Sequence, residues 1–255
     1  MPYNGGLGIP ITSYDILIKK KDGSLIRYLP NCDGNSTTVV ANRYCTIPMT
    51  TFTGTTFGLV QGDLIQASIA ATNPRGEGKY SDLNAEGAVA KVVPHTPTTA
   101  PRRGSLTNDN QLEVQWDFIT DIYSAGGAPI LSYSLYIDDG NGGDFSEVDG
   151  DTKSLYTLNS IVIQSGIASG ATYRLKYKVK NVYGFSQYSP IATVTAMTIP
   201  GAPTALTVAY DEDRVKIDWT APVFTGGYQI ALTFYKVEVL TNASDVYSEI
   251  ACQET

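Results

Sequence analysis

The chain has 255 residues, of which 42% are apolar and 17% charged, and it carries a net charge of −7. That is too apolar and too weakly charged for a disordered chain, is enough for one to three packed domains, and argues against a nucleic-acid partner. Glycine (24), tyrosine (17) and proline (13) are plentiful and methionine (3) is scarce, a balance that suits short strands joined by turns.

In chain order, the first marker is Gly5-Gly6, which leads into the apolar-alternating segment around Tyr14 and Ile16. A closing pattern follows, with Gly62, Ile65, Ala67, Ile69, Asn73, Gly76 and Ser81, and then a proline-rich joint from Val93 to Pro101. Gln111 to Phe118 alternates strictly: Leu112, Val114, Trp116 and Phe118 on one face, Glu113, Gln115 and Asp117 on the other. A period of two over this length predicts a half-buried strand. Gly126-Gly127 opens a second strand from Ile130 to Ile137, which ends in the turn-forming run Asp138 to Asp144. Ser154 to Leu158 reads as a further short strand. Tyr173, Leu175, Tyr177 and Val179 then alternate with Arg174, Lys176, Lys178 and Lys180, and Ile191 to Ala196 closes the unit. Asn181, Gly184 and Ser189 repeat Asn73, Gly76 and Ser81 at identical spacing, 108 residues on. A second joint, Ile199 to Pro203, precedes a strand with Val215, Ile217 and Trp219, the third pair Gly226-Gly227, and Tyr235. No helix is expected.

Self-similarity at this period marks a repeat array. A proline joint, a strand ending in Trp, a Gly-Gly turn leading to I-x-x-Y, and G-x-x-Y followed by N-x-x-G-x-x-x-x-S together resemble a fibronectin type III domain. The resemblance covers essentially the whole chain. It implies an all-β class of tandem immunoglobulin-like (fibronectin type III) β-sandwiches, one complete and two partial. The expected division is 1–93 without its first strands, 94–198 complete, and 199–255 as the first half of a further domain. Trp116 and Trp219 would be core tryptophans, with Tyr133 and Tyr173 on the paired strands facing them. The first copy departs from the pattern, with Ile65 where the second has Tyr173. Phe185-Ser-Gln-Tyr-Ser189 occupies the place of the Trp-Ser-x-Trp-Ser signature, which is absent. Arg75-Gly76-Glu77 is a near miss to Arg-Gly-Asp, and the turn explains its glycine.

Cys32 lies 18 residues after Tyr14 and Cys252 lies 17 after Tyr235, so the two occupy matching places. Cys45 then becomes the partner of Cys32, and a partner for Cys252 falls beyond Thr255; three free buried thiols are the alternative. A loop of this size contributes roughly 3 kcal/mol when closed without strain. Sequons at Asn35 and Asn242 agree with the oxidising compartment that a disulfide implies.

Candidate chemistry is sparse. The single histidine, His95, sits in a joint, which leaves nucleophilic triads without a base and a histidine-based zinc site without ligands. Asp138, Asp139, Asn141 and Asp144 are either a calcium-ligating cluster or a hairpin turn, and they lack the order of an EF-hand. Arg174, Lys176, Lys178 and Lys180 form a stripe that is either a solvated sheet face or a contact for anionic glycans or an acidic neighbour. Tyr123, Tyr183 and Tyr188 are among the aromatics expected near loops and strand ends, able to stack on sugars or anchor an interface.

The expected function is therefore a non-enzymatic extracellular structural protein, a segment of a surface, matrix or filamentous array. The alternatives are an adhesion or glycan-binding ectodomain and an accessory module of a secreted hydrolase. Expected partners are other copies or neighbouring repeats, and glycans, with no cofactor, catalytic residue or metal. The repeat register makes Met1 an internal methionine and places any leader or membrane anchor outside this segment. Strand donation between molecules is a further reading of the two partial copies, weakened because both contain the Gly-Gly turn and the strand after it.

Overall fold

A computed structural model describes residues 8–241 and 246–249. Gly5-Gly6, Asn242 and Cys252 lie outside the described residues.

Strand alternation between residues 102 and 195 builds two antiparallel sheets. One holds β5 (Arg102–Arg103), β6 (Leu112–Gln115) and β9 (Ser160–Ile163) in the order β5-β6-β9. The other runs β11-β10-β7-β8, from β7 (Ser132–Ile137), β8 (Ser146–Asp149), β10 (Thr172–Asn181) and β11 (Gly184–Phe185), with β12 (Ala192–Thr195) also paired to β10. Three strands facing four or five in this order form the two-sheet sandwich of the fibronectin type III and immunoglobulin-like architecture. The core lies where the sheets face each other. Leu112 and Val114 from β6, with Trp116 just past its end, meet Tyr133 and Leu135 from β7 and Leu175, Tyr177 and Val179 from β10, all buried. Trp116 stacks on Tyr177 at 5.8 Å and lies 6.2 Å from Tyr133. Tyr173 is buried in the same cluster, and its hydroxyl accepts the Ala168 N–H (2.7 Å) and donates to the Gly166 carbonyl (3.1 Å).

Ahead of this sandwich stands a single sheet in the order β2-β1-β3-β4, from β1 (Ser13–Lys19), β2 (Leu25–Ile26), β3 (Ala67–Asn73) and β4 (Gly76–Glu77). Tyr14 pairs with Ala71, Ile16 with Ile69 and Ile18 with Ala67. The same register recurs on β7 and β10 as Tyr133–Val179, Leu135–Tyr177 and Ile137–Leu175. The two sheets are copies of one another. The turns match as well, since Asn73 and Asn181 each accept with Oδ1 the N–H of the residue two positions on, at 2.8 Å. Ser81 and Ser189 each return a hydroxyl to the preceding strand, taking the Ile69 and Tyr177 N–H groups at 3.1 Å.

The third region holds two hairpins. β13 (Thr204–Asp211) pairs with β14 (Arg214–Thr220), and β15 (Glu238–Thr241) pairs with β16 (Val246–Glu249). Trp219 is partly covered by Tyr235, 5.3 Å away between ring centroids.

Three sequence expectations need correction. Two short helices, α1 (Thr37–Asn42) and α2 (Met49–Thr53), occupy the connection from β2 to β3. Their threonines and valines are weak helix formers, so α2 is held by burial: Phe52 packs on Phe57 at 5.3 Å inside a cluster with Ile18 and Leu59. Ser154–Leu158 is not a strand; the strand is β9, which starts two residues after Leu158. Glu147 gathers the N–H groups of Asp151, Thr152 and Lys153, which curls the chain there and leaves Leu155 and Leu158 exposed. Phe118 does not continue the core face of β6. The strand ends at Gln115, and Phe118 is 48% exposed, its ring edge-on to Tyr133.

Candidate interaction sites: the joints and a cation–aromatic ladder

Gly126-Gly127 and Gly226-Gly227 sit at the joints. Val92, just before the first proline joint, donates its N–H to the Gly126 carbonyl at 2.9 Å, and Thr198 donates to the Gly226 carbonyl at 2.8 Å. Each joint segment thus hydrogen-bonds the Gly-Gly turn that follows it. Gly126 has φ +75°, and a Cβ there would overlap the Val92 carbonyl oxygen and lie 2.6 Å from that of Val93. Gly226, at φ +108°, would overlap the Thr198 carbonyl oxygen in the same way. Only glycine tolerates both the backbone and the approach.

Side chains close the first joint. The buried Asn181 amide donates to the Val92 carbonyl (2.7 Å) and to that of Ala125 (2.9 Å), tying β10 to the joint and the turn together. Gln61, from the leading region, donates to the Tyr123 carbonyl at 2.8 Å, and its Oε1 meets His95 Nε2 at 2.8 Å. The His95 ring stands edge-on to Tyr123 at 4.7 Å. The second joint has its own ties, from Arg103 to the Met197 carbonyl (2.6 Å) and from the Tyr228 N–H to Ser169 Oγ (2.8 Å). Sequence reasoning saw the glycines and the asparagine as turn formers. It missed their shared partner, the incoming joint, because a turn residue's long-range contact leaves no local pattern.

On the outer face of β10 the four cations are interleaved with rings. Arg174 lies over Phe145 (5.1 Å), Lys176 between Phe145 (4.1 Å) and Tyr188 (4.0 Å), Lys178 over Phe185 (4.0 Å), and Lys180 over the same Phe185 (4.8 Å). Neither reading of the stripe foresaw the rings: each charge lies on an aromatic face, which attracts it electrostatically and removes part of its water. Two are also neutralised. Arg174 pairs with Asp138 at 2.7 Å and Lys178 with Asp151 at 2.6 Å. Burial pushes the Asp138 carboxyl up, but Arg174 and the N–H groups of Arg174 and Gly140 outweigh it and hold the carboxyl below its usual range. The Phe185-to-Ser189 segment supplies two of the rings.

The remaining candidates fall elsewhere. Asp138 faces Arg174, while Asp139 accepts the N–H groups of Asn141 and Gly143 at 2.9 Å as the hinge of a turn. Among the described residues, no three His, Cys, Asp or Glu side chains converge on a point that could hold a metal ion. Cys32 and Cys45 are joined by a disulfide with Cα atoms 5.2 Å apart. Asn35 is exposed in the loop that this bond closes, and no described helix is long and apolar enough to cross a membrane.

No protein-family model matches the chain. A kelch domain-containing protein of Saccharolobus solfataricus is 33% identical over 73 residues, which are 29% of this chain and 10% of that protein. The chain thus matches about a tenth of that relative's length. Among solved structures, the FN1–FN3 domains of chicken contactin superpose at a TM-score of 0.34 with 15% identity, covering 84% of this chain and 66% of that one. A crystal structure of domains from titin gives 0.40 with 14% identity, covering 72% and 55%.

Proposed function

We propose that this chain is a structural, non-enzymatic segment of an extracellular repeat array in which successive sandwiches are held in a fixed relation. The carrying observation is the repeated joint, with Val92 on Gly126 and Thr198 on Gly226 by the same backbone hydrogen bond. A joint shorter than ten residues, stiffened by proline and bonded to the next sandwich, transmits orientation as well as connecting. The disulfide and the exposed sequon at Asn35 favour an oxidising, extracellular setting.

Small-angle scattering of the chain, compared with its Gly126→Val variant, tests this. A fixed joint predicts a single extended envelope that broadens in the variant; identical profiles, both requiring an ensemble of flexing units, would sink it. Secretion from a eukaryotic host followed by peptide mass mapping tests the address, with a free Cys32 thiol and a bare Asn35 counting against it. A second reading, recognition of an anionic glycan, is favoured by one observation: Lys176 and Lys180 have no carboxylate partner among the described residues. Retention on a sulfated-glycan column that is lost in Lys176→Met/Lys180→Met would support it.

A further inference from the structure

The leading sheet and the middle sandwich share a register, and their outer faces differ at one informative place. Gly34 abuts the Tyr14 carbonyl as Gly150 abuts the Tyr133 carbonyl, each too closely to admit a Cβ. Asp33-Gly34-Asn35 therefore stands where Asp149-Gly150-Asp151 stands in the other copy. In the middle sandwich Asp151 is held by Lys178 and by the Tyr136 hydroxyl, both at 2.6 Å. The shared register aligns Ala70 with Lys178, Thr72 with Lys180 and Leu17 with Tyr136. Both partners of the carboxylate are thus replaced by apolar side chains, and the carboxylate itself by the amide of Asn35, the sequon residue.

That exchange leaves a recess of about 220 Å³ with Asn35 in its lining. Ser13, Asp15, Arg27, Asp33, Thr72 and Glu77 form the rest of its polar wall. On the middle sandwich the matching face is covered by side chains and by no strand, so the opening belongs to the sheet's own residues. Asp15 is fixed in place: its carboxylate accepts from Arg27 and from the Tyr80 hydroxyl, and its side chain is 10% exposed. Three carboxylates and one cation repel an anion and suit a neutral ligand rich in hydroxyl donors. The volume admits one sugar ring and not a branched chain of them. Asn35 is exposed, and its Nδ2 donates to Asp33 Oδ1 at 3.3 Å. A glycosylated amide keeps one N–H, so that bond survives the linkage.

We propose that the recess seats the first N-acetylhexosamine of a glycan carried by Asn35. In the linkage, Asn35 Nδ2 bonds the sugar's anomeric carbon and releases one proton, while the diphosphate-linked lipid carrier of the sugar leaves with the bonding pair. The seated ring turns its hydroxyls toward the carboxylates of the wall, and the exposed Leu29 at the edge gives its acetyl methyl an apolar contact. The sugar then covers the leading sheet as the cation–aromatic ladder covers the middle one. This inference rests on the extracellular reading and adds to it the place that the sugar occupies.

The test uses the full chain with Asn242→Gln, secreted by a eukaryotic host that makes high-mannose glycans. Three forms are compared: the whole glycan, the glycan trimmed by an endoglycosidase to one sugar, and the bare chain obtained with Thr37→Ala. The first two should melt together in the transition of the leading region, about 4–8 °C above the bare form, the shift that one net hydrogen bond gives a unit of this size. The acetyl methyl of the single sugar should show nuclear Overhauser contacts to the Thr72 and Leu29 methyls. Thr72→Lys fills the recess with the side chain that the middle copy has there, and should erase the Leu29 contact and most of the shift while Asn35 stays glycosylated. A one-sugar form that melts with the bare one, or an acetyl methyl without contact to Thr72, overturns the seat and leaves the extracellular reading standing. A shift and a Leu29 contact that survive Thr72→Lys overturn it too. An Asn35 that is secreted bare overturns the seat and counts against the extracellular reading as well.

Discussion

Asp138 and Glu147 show how single carboxylates set the loops of the middle sandwich. The Asp138 side chain is 1% exposed and survives as an anion because Arg174 answers it. Burial pushes the Glu147 carboxyl up, yet the Thr152 hydroxyl and three backbone N–H groups win, and it titrates at about 2 against an ordinary 4.5. A carboxyl depressed in the fold contributes stability that is complete above its unfolded pKa and is lost as pH falls through its folded one. Denaturant melts across pH should therefore show stability falling between about 4.5 and about 2, with Glu147→Gln flattening that limb. Equal slopes in variant and parent would reject the assignment. The ladder gives a second prediction at this scale. Lys176→Met keeps the aliphatic stem but removes the charge between Phe145 and Tyr188, and should cost about 0.5–2 kcal/mol. A double-mutant cycle with Tyr188→Leu should return most of that as coupling. The stripe was legible in the sequence because it alternates along one strand. Its rings were not, because Phe145 and Tyr188 arrive from other elements.

At the scale of elements, alternation carried the strands. Tyr173-x-Leu175-x-Tyr177 buries every second residue, so period and burial coincide there, whereas in β6 Glu113 is buried along with Leu112 and Val114. The helices were illegible because α1 and α2 span only six and five residues and lean on a disulfide loop and on Phe57, which is distant information. β9 was misplaced because Ser154–Leu158 holds apolar residues at strand spacing, and only the hold of Glu147 on residues 151–153 excludes it. The Gly-Gly turns were legible as turns and silent about their partner, and that partner is what makes Gly126 testable. Gly142 has φ +83° with nothing within 4 Å of a Cβ, whereas Gly126 has φ +75° and the joint against it. Alanine at Gly142 should cost about 1–2 kcal/mol, the strain of a left-handed backbone. Alanine at Gly126 should cost clearly more and should also speed hydrogen exchange at the Val92 amide. Equal costs, with Val92 still protected, would mean the joint gives way freely.

For the whole molecule, the consequential fact is that the leading sheet and the middle sandwich each have a separate apolar cluster, one around Phe57 and the other around Trp116. The two are bridged by hydrogen bonds at the joint and not by a continuous core, so they should unfold as distinct cooperative steps. They also differ in what holds them. The Trp116 cluster is enclosed between two sheets, while the Phe57 cluster sits beside an open groove and depends on the loop closed by Cys32 and Cys45. Closing a loop of that length contributes about 3 kcal/mol, most of what so small a core holds in reserve. Calorimetry should then resolve two transitions, with the middle sandwich melting higher. Adding a reductant, or Cys32→Ser/Cys45→Ser, should lower the first transition sharply and leave the second in place. If both fell together, the joint would be coupling the sandwiches into one folding unit. If neither fell, the disulfide would carry no weight in the leading region. Loss of the first transition alone would mean that the leading region is sensitive to reduction while the rest of the chain is not.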